Sequence, residues 1–137
     1  MATAKKDKVY IEAVGRRKTS VARVRITDLG KDGGITVNDK EFAVYFPTAE
    51  LRHKATAPLV AAAAEKMFAI TVLAKGGGIH SQAEAVTQGL ARALVKYNAE
   101  FKAPVKTAGL LTRDPRAKER RKFGLKKARK SPQWSKR

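Results

Sequence analysis

Residues 67–98, MFAITVLAKGGGIHSQAEAVTQGLARALVKYN, decide the fold. Residues 67–74 are apolar on both faces, the pattern of a central strand covered on both sides or nearly so. A glycine run at 76–78 separates this strand from an amphipathic helix that ends near Asn98. The apolar stripe of the helix consists of Ile79, Ala83, Val86, Leu90, Ala93 or Leu94, and Tyr97. The sequence thus predicts a central strand, a turn and a helix packed on a sheet.

The turn between this strand and helix is a candidate anion site. Lys75 precedes Gly76, Gly77 and Gly78, whose bare backbone can approach a phosphate closely at a helix N-terminus. Ser81 and Glu84 fit a capping box, with Ser81 as the N-cap. The spacing matches neither a phosphate-binding loop of an NTPase nor a dinucleotide fingerprint. A structural turn and a phosphate contact to RNA both remain open.

Two strands are predicted before this unit. Residues 9–14 form a β-branched and aromatic run that stops at Gly15, and Arg16, Arg17 and Lys18 then form a cationic turn. Residues 20–27 alternate, so that Ala22, Val24 and Ile26 face the core and Arg23 and Arg25 face outward. Two arginines spaced in this way stand about 7 Å apart, close to the phosphate repeat of one nucleic acid strand. An ordinary solvated face is the alternative for the pair.

The middle of the chain predicts a short strand and one or two helices. Residues 28–34 and 38–39 have turn chemistry on either side of a strand at 35–37, and an apolar run at 42–46 ends at Pro47. Residues 48–66 are helical in composition. Thr56 is a plausible N-cap within them, with Pro58 in the first turn. The expected apolar stripe consists of Leu59, Val60, Ala63, Ala64 and Met67.

Residues 112–137 hold twelve Lys and Arg against two acids, a net +10 of the chain's +18. Phe123, Leu125 and Trp134 are the only large apolar side chains there, too few to offset the entropy of ordering. The segment is therefore expected to stay extended until a polyanion neutralises it. Nucleic acid is the favoured polyanion, because Lys and Arg release counterions condensed on its phosphates. A solubilising tail is the alternative.

Composition restricts the remaining function classes. The sequence pI is about 10.6, which makes nucleic acid the default partner and an anionic membrane surface the second choice. The absence of cysteine excludes disulfides and cysteine-ligated zinc, and His53 and His80 show no ligand spacing. The acids are scattered without a catalytic or metal-binding spacing, so an enzyme is not expected. No secretory signal or run of eighteen apolar residues occurs, and a soluble cytoplasmic protein is expected.

Several stretches resemble one family, the ninth protein of the small ribosomal subunit in its bacterial form. The resemblance covers nearly the whole chain from Tyr10, and the ordered set is highly specific. Its segments are residues 15–24 (GRRKTSVARV), 37–38, 45–46, 70–72, 76–78, 82–83, Gly89 and 91–94, then 111–116 (LTRDPR), 119–122 (ERRK), 124–129 (GLKKAR) and 135–137 (SKR). Three departures from the family pattern occur, at Ala13-Val14, Ser81 and Trp134.

The resemblance implies an α+β two-layer sandwich like the second domain of ribosomal protein five. A mixed sheet of about four strands would carry two to three helices, followed by a long extended basic C-terminal tail. The expected division is a flexible head at 1–8, a globular RNA-binding domain at 9–111 and the tail at 112–137. Implied partners are the 3′ major domain of the small-subunit ribosomal RNA, the peptidyl-site transfer RNA and head proteins seven, ten and fourteen. No cofactor, metal or membrane is expected.

Site residues are assigned from the charge pattern and the resemblance together. The candidate ribosomal RNA contacts are Arg16, Arg17, Lys18, Arg23, Arg25, Lys75, Gly76, Gly77, Gly78, Gln82, Arg113, Arg116, Arg120, Arg121, Lys122, Lys126, Lys127, Arg129 and Lys130. By the family match, Ser135, Lys136 and Arg137 would contact the anticodon stem-loop of the transfer RNA. Trp134 either stacks on a base or ribose or fills an RNA groove.

The tail is predicted to fold only in part and only on RNA. Asp114 and Pro115 can open a short helix and Gly124 can close it, although so short a helix is marginal in isolation. Beyond Gly124, residues 126–137 could reach about 40 Å when extended. Two other classes remain as alternatives: a nucleoid protein that binds duplex DNA, and a small phosphotransferase that uses the glycine loop.

Overall fold

The computed structural model of the chain describes residues 10–28 and 33–136. Its five strands are β1 (Ile11–Arg17), β2 (Ser20–Asp28), β3 (Ile35–Val37), β4 (Lys40–Glu41) and β5 (Phe68–Lys75). Its helices are α1 (Phe42–Tyr45), α2 (Ala49–Ala61), α3 (Ile79–Tyr97), a 3-10 turn at Ala99–Phe101, and α4 (Lys102–Thr107). The predicted α+β class is confirmed. The head at 1–8, Val9, residues 29–32 of the predicted turn, and Arg137 lie outside the described residues.

The strands form one mixed sheet in the order β1-β2-β5-β3-β4. β2 pairs antiparallel with β1 and β5, while β3 runs parallel to β5 and antiparallel to β4. The predicted central strand is therefore central in the sheet. A parallel partner requires a crossover connection, and α2 lies within the link from β3 to β5.

One face of the sheet carries the core and the helices. Ala22, Val24 and Ile26 of β2 are buried as predicted, opposite Ala74, Val72 and Ile70 of β5. α3 packs on β1 and β2, and α2 lies beside α3. The buried stripe of α3 includes Val86, Leu90 and Leu94. Removing each such side chain from water contributes about 1.5–3 kcal/mol, which holds the two layers together.

The opposite face of the sheet is open, which corrects the prediction that β5 is covered on both sides. Its buried residues alternate with accessible ones, and Leu73 is 39% exposed. Val21, the neighbouring outward residue of β2, is also 39% exposed. The apolar composition of β5 resembled a strand buried on both sides, but the described helices lie on one layer only. We call this open side the outer face.

Gly15 brings α3 close to β1 instead of ending the strand. A Cβ atom at Gly15 would lie 1.9 Å from the carbonyl oxygen of Ala85 and 2.3 Å from the amide nitrogen of Gly89. Glycine in a strand commonly marks such a close backbone approach. The predicted strand end at Gly15 is therefore wrong, since β1 continues through Arg16 and Arg17. The turn instead contains Lys18, whose φ is 53°.

Residues 48–66 contain one helix, which begins where the helical composition begins, and the N-cap predicted at Thr56 is wrong. Thr48, not Thr56, occupies the N-cap position, and the Thr56 hydroxyl donates to the Arg52 carbonyl within α2. Pro58 lies inside the helix and has no N–H to donate the usual helical hydrogen bond to the carbonyl of Lys54. The Thr87 hydroxyl of α3 donates to that carbonyl at 2.7 Å, so a contact between helices replaces the missing bond.

The apolar stripe predicted at residues 59–67, across the end of α2, is only partly buried. Leu59 and Ala64 are buried, but Val60 is 57% exposed and Met67 40% exposed. The helix ends at Ala61, and Ala63 takes a left-handed φ of 51°. This change of direction removes the later residues from the helical period.

Downstream of α3, the 3-10 turn and α4 were not predicted, and α4 buries Val105. Residues 113–136 contain no helix or strand. The extended tail and its RNA-induced helix therefore stay predictions. Within the described part of the chain, no helix has the length and apolarity needed to cross a membrane.

Candidate nucleic-acid interface

The outer face gathers cations from three adjacent strands around a small apolar centre. Arg16, Val21 and Lys75 form one row across β1, β2 and β5, and the next outward row contains Val14, Arg23 and Leu73. Arg16, Arg23 and Lys75 are exposed. The apolar side chains of Val21 and Leu73 lie between these cationic groups, so the face offers both charge and apolar contact area.

Glu12 organises one end of the outer face. Its carboxylate lies 2.5 Å from the Arg25 guanidinium and 3.9 Å from that of Arg23, while Arg25 lies 4.7 Å above the Tyr10 ring. The hydrogen bond from Arg25 is the main reason that the pKa of Glu12 is lowered. Arg25 is held in place by these contacts, whereas Arg16 and Lys75 have no salt-bridge partner among the described residues.

The glycine loop has a structural explanation at two of its three positions. Gly76 and Gly77 take left-handed φ values of 75° and 62°. A Cβ at Gly77 would lie 2.1 Å from the Ser20 hydroxyl, and one at Gly76 would lie 2.6 Å from the Thr19 carbonyl. Both glycines thus pack against the β1–β2 turn. Only Gly78 faces open space among the three.

The cap of α3 lies three residues earlier than predicted. Gly78 is the N-cap, and Ser81 in the third helical position accepts a hydrogen bond from the Gly78 N–H at 3.0 Å. The Ser81 hydroxyl also lies 2.7 Å from that of Ser20. Glu84 is consequently not a capping residue, and its carboxylate pairs with Arg17 and Lys54.

Gln82 is engaged within the protein. Its amide nitrogen donates to the Gly76 carbonyl at 3.1 Å, and its oxygen accepts from the Tyr45 hydroxyl at 2.5 Å. Asn38 completes the group, since its side chain exchanges two hydrogen bonds of 2.9 Å with the backbone of Ala74. These contacts join the glycine loop, α1 and β5 into one rigid edge beside the outer face.

Arg17 does not point to the outer face, because it lies on the core side of β1 with its side chain 12% exposed. Its guanidinium lies 2.5 Å from Glu84 and 3.4 Å from Asp114. Burial raises the pKa of Glu84, but hydrogen bonds from Lys54 and Arg17 outweigh that effect and leave it lowered. The pKa of Asp114 is lowered further, mainly by hydrogen bonds from the side chain and backbone of Arg116.

Four carboxylates in the described residues each bind two cations: Glu12, Glu84, Asp114 and Glu119. In the tail, Glu119 lies 2.7 Å from Lys122 and 2.9 Å from Arg129. Each carboxylate therefore holds its cations in place without removing the local positive charge. Such a surface stays attractive to a polyanion.

The predicted tail contacts are mostly exposed. Lys122 is half-buried, and the exposed positions are Arg113, Arg116, Arg120, Arg121, Lys126, Lys127, Arg129, Lys130, Ser135 and Lys136. Trp134 is 82% exposed and Phe123 is fully exposed. Gly124 has a left-handed φ of 77°, but it lies in a turn and does not end a helix.

Two cations of α3 were missed by sequence reasoning. Arg92 donates to the Val14 carbonyl and Lys96 to the Glu12 carbonyl, each at 2.9 Å. β1 is an edge strand, and these side chains cover part of its unpaired backbone, which discourages pairing with another chain. The sequence signal that could have indicated this role is the spacing of Arg92 and Lys96, which lie four residues apart on the polar side of the helix.

The described residues contain no cluster of three or more His, Cys, Asp or Glu side chains that could hold a metal ion. One buried side-chain atom among them, Gln88 Nε2, has no hydrogen-bond partner. Gln88 lines a pocket of about 190 Å³ together with Arg17, Glu84 and Asp114.

Comparison with known proteins identifies the family. The model of the family described as "Ribosomal protein S9/S16" matches residues 15–137. The "Small ribosomal subunit protein uS9" of Gloeothece citriformis (strain PCC 7424) is 50% identical over 137 residues, 99% of this chain and 98% of the relative. The protein of the same name from Cytophaga hutchinsonii is 50% identical over 127 residues, 93% of this chain and 98% of the relative.

The α+β fold and these matches define the class: a ribosomal, RNA-binding protein with a structural and not an enzymatic role. The chain belongs to the ribosomal protein S9/S16 family, in its bacterial form. It is a structural constituent of the small ribosomal subunit and acts in translation, in the cytoplasm. The resemblance stated from the sequence motifs is therefore confirmed.

Proposed function

We propose that the protein docks on the 3′ major domain of the small-subunit ribosomal RNA through its outer face. From there, residues 112–137 act as an extended tail that reaches the transfer RNA in the peptidyl site. Residues 9–111 are the proposed RNA-binding domain. Head proteins seven, ten and fourteen are the proposed neighbours. The observation that carries the proposal is the open, cationic outer face.

The outer face suits RNA because, across β1, β2 and β5, its cations outnumber its one acid, Glu12, and its centre is apolar. Arg16, Arg23 and Lys75 stand on neighbouring strands, which lie about 4.8 Å apart, so the cations can reach successive phosphates. Val21 and Leu73 between them can contact ribose. Contacts of this kind fix position and orientation without reading base sequence.

The tail has the properties needed to bind transfer RNAs of different sequence. Its exposed cations bind phosphates of any transfer RNA, and Trp134 can stack on a base or ribose or fill a groove. Ser135, Lys136 and Arg137 are the proposed transfer RNA contacts. The remaining cations of residues 113–130 would bind ribosomal RNA along the way.

Co-sedimentation tests the proposal directly. A chain tagged at its N-terminus, with Arg137 left free, is expected to migrate with the small subunit in a one-to-one ratio through a high-salt sucrose gradient. Release into the DNA-containing fractions would instead support the nucleoid alternative. Release into the soluble fraction would contradict a stable place in the subunit.

Deleting residues 135–137 is expected to leave assembly intact and weaken transfer RNA binding at the peptidyl site. Each lost contact contributes about 1 kcal/mol, the net value of a typical hydrogen bond after desolvation, which is roughly a fivefold change in affinity. Filter binding of transfer RNA to programmed small subunits measures the effect. A matched control replaces Lys40 and Lys66, two exposed cations of the domain, by alanine. Equal affinity in wild-type and truncated subunits would refute the tail assignment.

A further inference from the structure

We propose that Arg17 is a positioning residue that fixes the direction in which the tail leaves the domain. It acts through a group that we call the tail clasp, formed by Arg17, Lys54, Glu84, Asp114 and Arg116. The consequence for transfer RNA binding rests on the proposed function. The clasp itself is a property of the free protein and can be tested there.

One guanidinium joins a strand, a helix and the start of the tail. Arg17 Nε lies 2.5 Å from Glu84 Oε2 of α3, and Nη2 lies 3.4 Å from Asp114 Oδ2. Nη1 donates to the carbonyl oxygen of Arg116 at 2.5 Å. Only arginine supplies several donors in a rigid planar fork, so a lysine could not make all three contacts at once.

Both carboxylates of the clasp are held from a second side. Lys54 Nζ of α2 lies 2.7 Å from Glu84 Oε1, so Glu84 has a cation on each oxygen. Asp114 accepts the backbone N–H of Arg116 at 2.9 Å and the Arg116 guanidinium at 2.8 Å. The start of the tail is therefore locked into a local turn, and Arg17 ties that turn to the domain.

Polar contacts, not apolar burial, hold this segment. Thr112, Arg113, Pro115 and Arg116 are exposed, and Asp114 is half-buried. Beneath the segment lies the pocket of about 190 Å³, lined in part by Leu110, Ala57 and Gln88. Since no buried side chain anchors residues 112–116, the exit direction depends on the ion pairs of the clasp.

The exit direction matters because the tail is long. The stretch from 117 to 136 would span about 65 Å when extended. A change of about 30° at the clasp would therefore move the tip by roughly 30 Å. Arg17 thus serves RNA binding indirectly, by aiming the cations that follow it, and its own charge is used inside the protein.

Spin-label distances test the clasp on the full-length free protein. The chain has no cysteine, so labels can be placed at Glu50→Cys in α2 and Ala117→Cys beyond the clasp, both exposed positions. A narrow distance distribution is expected for the wild-type chain, and Arg17→Ala is expected to broaden it at least twofold. Arg17→Lys should restore the width only in part. An unchanged width in Arg17→Ala would overturn the proposal.

Two further variants keep the test decisive. Arg16→Ala removes the adjacent, outward-facing arginine and should leave the width unchanged. Asp114→Asn leaves the Arg17–Glu84 pair in place and should broaden the distribution even if Arg17→Ala fails to fold. A narrow distribution in a folded Asp114→Asn chain would likewise contradict the clasp.

The ribosome supplies a separate readout. Arg17→Ala and Asp114→Asn subunits should contain the protein at full occupancy yet bind peptidyl-site transfer RNA about as weakly as the truncated form. If the wild-type chain does not enter the subunit, the proposed function fails while the distance result stands. If both variants bind transfer RNA normally, the positioning role is wrong.

The pH dependence of the clasp follows from its carboxylates. Because the folded-state pKa values of Glu84 and Asp114 lie below their usual 4.5 and 3.8, their stabilisation is present above those usual values. It is lost progressively as the pH falls from those usual values to the lowered ones. Nitroxide mobility at residue 117 should therefore stay restricted down to about pH 4 and increase below it. Release of the segment between about pH 6 and 5 would contradict this account.

Discussion

Gly15→Ala is expected to lower the free energy of unfolding by about 3 kcal/mol, the upper end of the usual cost of overpacking a core. The added Cβ would lie 1.9 Å from the Ala85 carbonyl and 2.3 Å from the Gly89 amide. Both are helix backbone atoms that cannot rotate away. α3 must therefore retreat from β1 and open the core around Val24 and Leu90.

Urea denaturation measures this loss as a change in the free energy of unfolding. Gly34→Ala is the matched control, because a Cβ at Gly34 meets nothing within 4 Å. The control should differ from wild type by less than about 0.5 kcal/mol, as surface changes usually do. If the two variants unfolded at the same urea concentration, the close approach at Gly15 would not be real.

Reversing the charge of the outer face is expected to abolish docking on ribosomal RNA. Arg16→Glu, Arg23→Glu and Lys75→Glu together remove three proposed phosphate contacts and add repulsion. Charge-assisted hydrogen bonds contribute about 1.5–3 kcal/mol each, so the affinity for the isolated 3′ major domain should fall by at least roughly a thousandfold. The salt dependence should also become shallower, by about 0.7–0.9 in log–log slope per lost contact.

A second triple variant controls for charge alone. Lys66→Glu, Lys102→Glu and Lys106→Glu produce the same change in net charge at exposed positions away from the outer face. This variant should lose far less affinity, and thermal melting should show that both variants fold. Equal losses would mean that RNA is attracted by total charge and does not dock on one face.

Local periodicity made much of the fold predictable. The alternation of Ala22, Val24 and Ile26 and the stripe of Val86, Leu90 and Leu94 depend on the geometry of one element, and the structure buries both sets. Contacts between distant residues were not predictable in this way. Gly15 resembled a strand end because the contact that requires glycine there is with Gly89, which lies in another element.

The helical region before β5 illustrates the same limit. Thr56 and Pro58 resembled a helix start because proline inside a helix leaves a carbonyl without its N–H donor. The sequence around them does not reveal that Thr87 of another helix donates to that carbonyl, the one of Lys54. β5 resembled a strand with two covered faces because its outward residues include Ala69 and Leu73. Composition cannot show on which side of a sheet the helices lie.

The candidate site was likewise predictable only in part. Charge density alone indicated the basic tail, and alternation indicated that Arg23 and Arg25 face outward. The different roles of adjacent Arg16 and Arg17 could not be inferred, because they depend on Glu84 and Asp114, far along the chain. Strand alternation places the two arginines on opposite faces once β1 is known to extend through them.

The central claim is that the outer face lies against ribosomal RNA and the helix layer does not. Because the chain lacks cysteine, an iron chelate can be attached at Thr36→Cys on the rim of the outer face, or at Glu50→Cys on the helix layer. Hydroxyl radicals from Thr36→Cys in reconstituted small subunits should cleave the 3′ major domain strongly, and those from Glu50→Cys weakly. Strong cleavage from Glu50→Cys with none from Thr36→Cys would contradict the account.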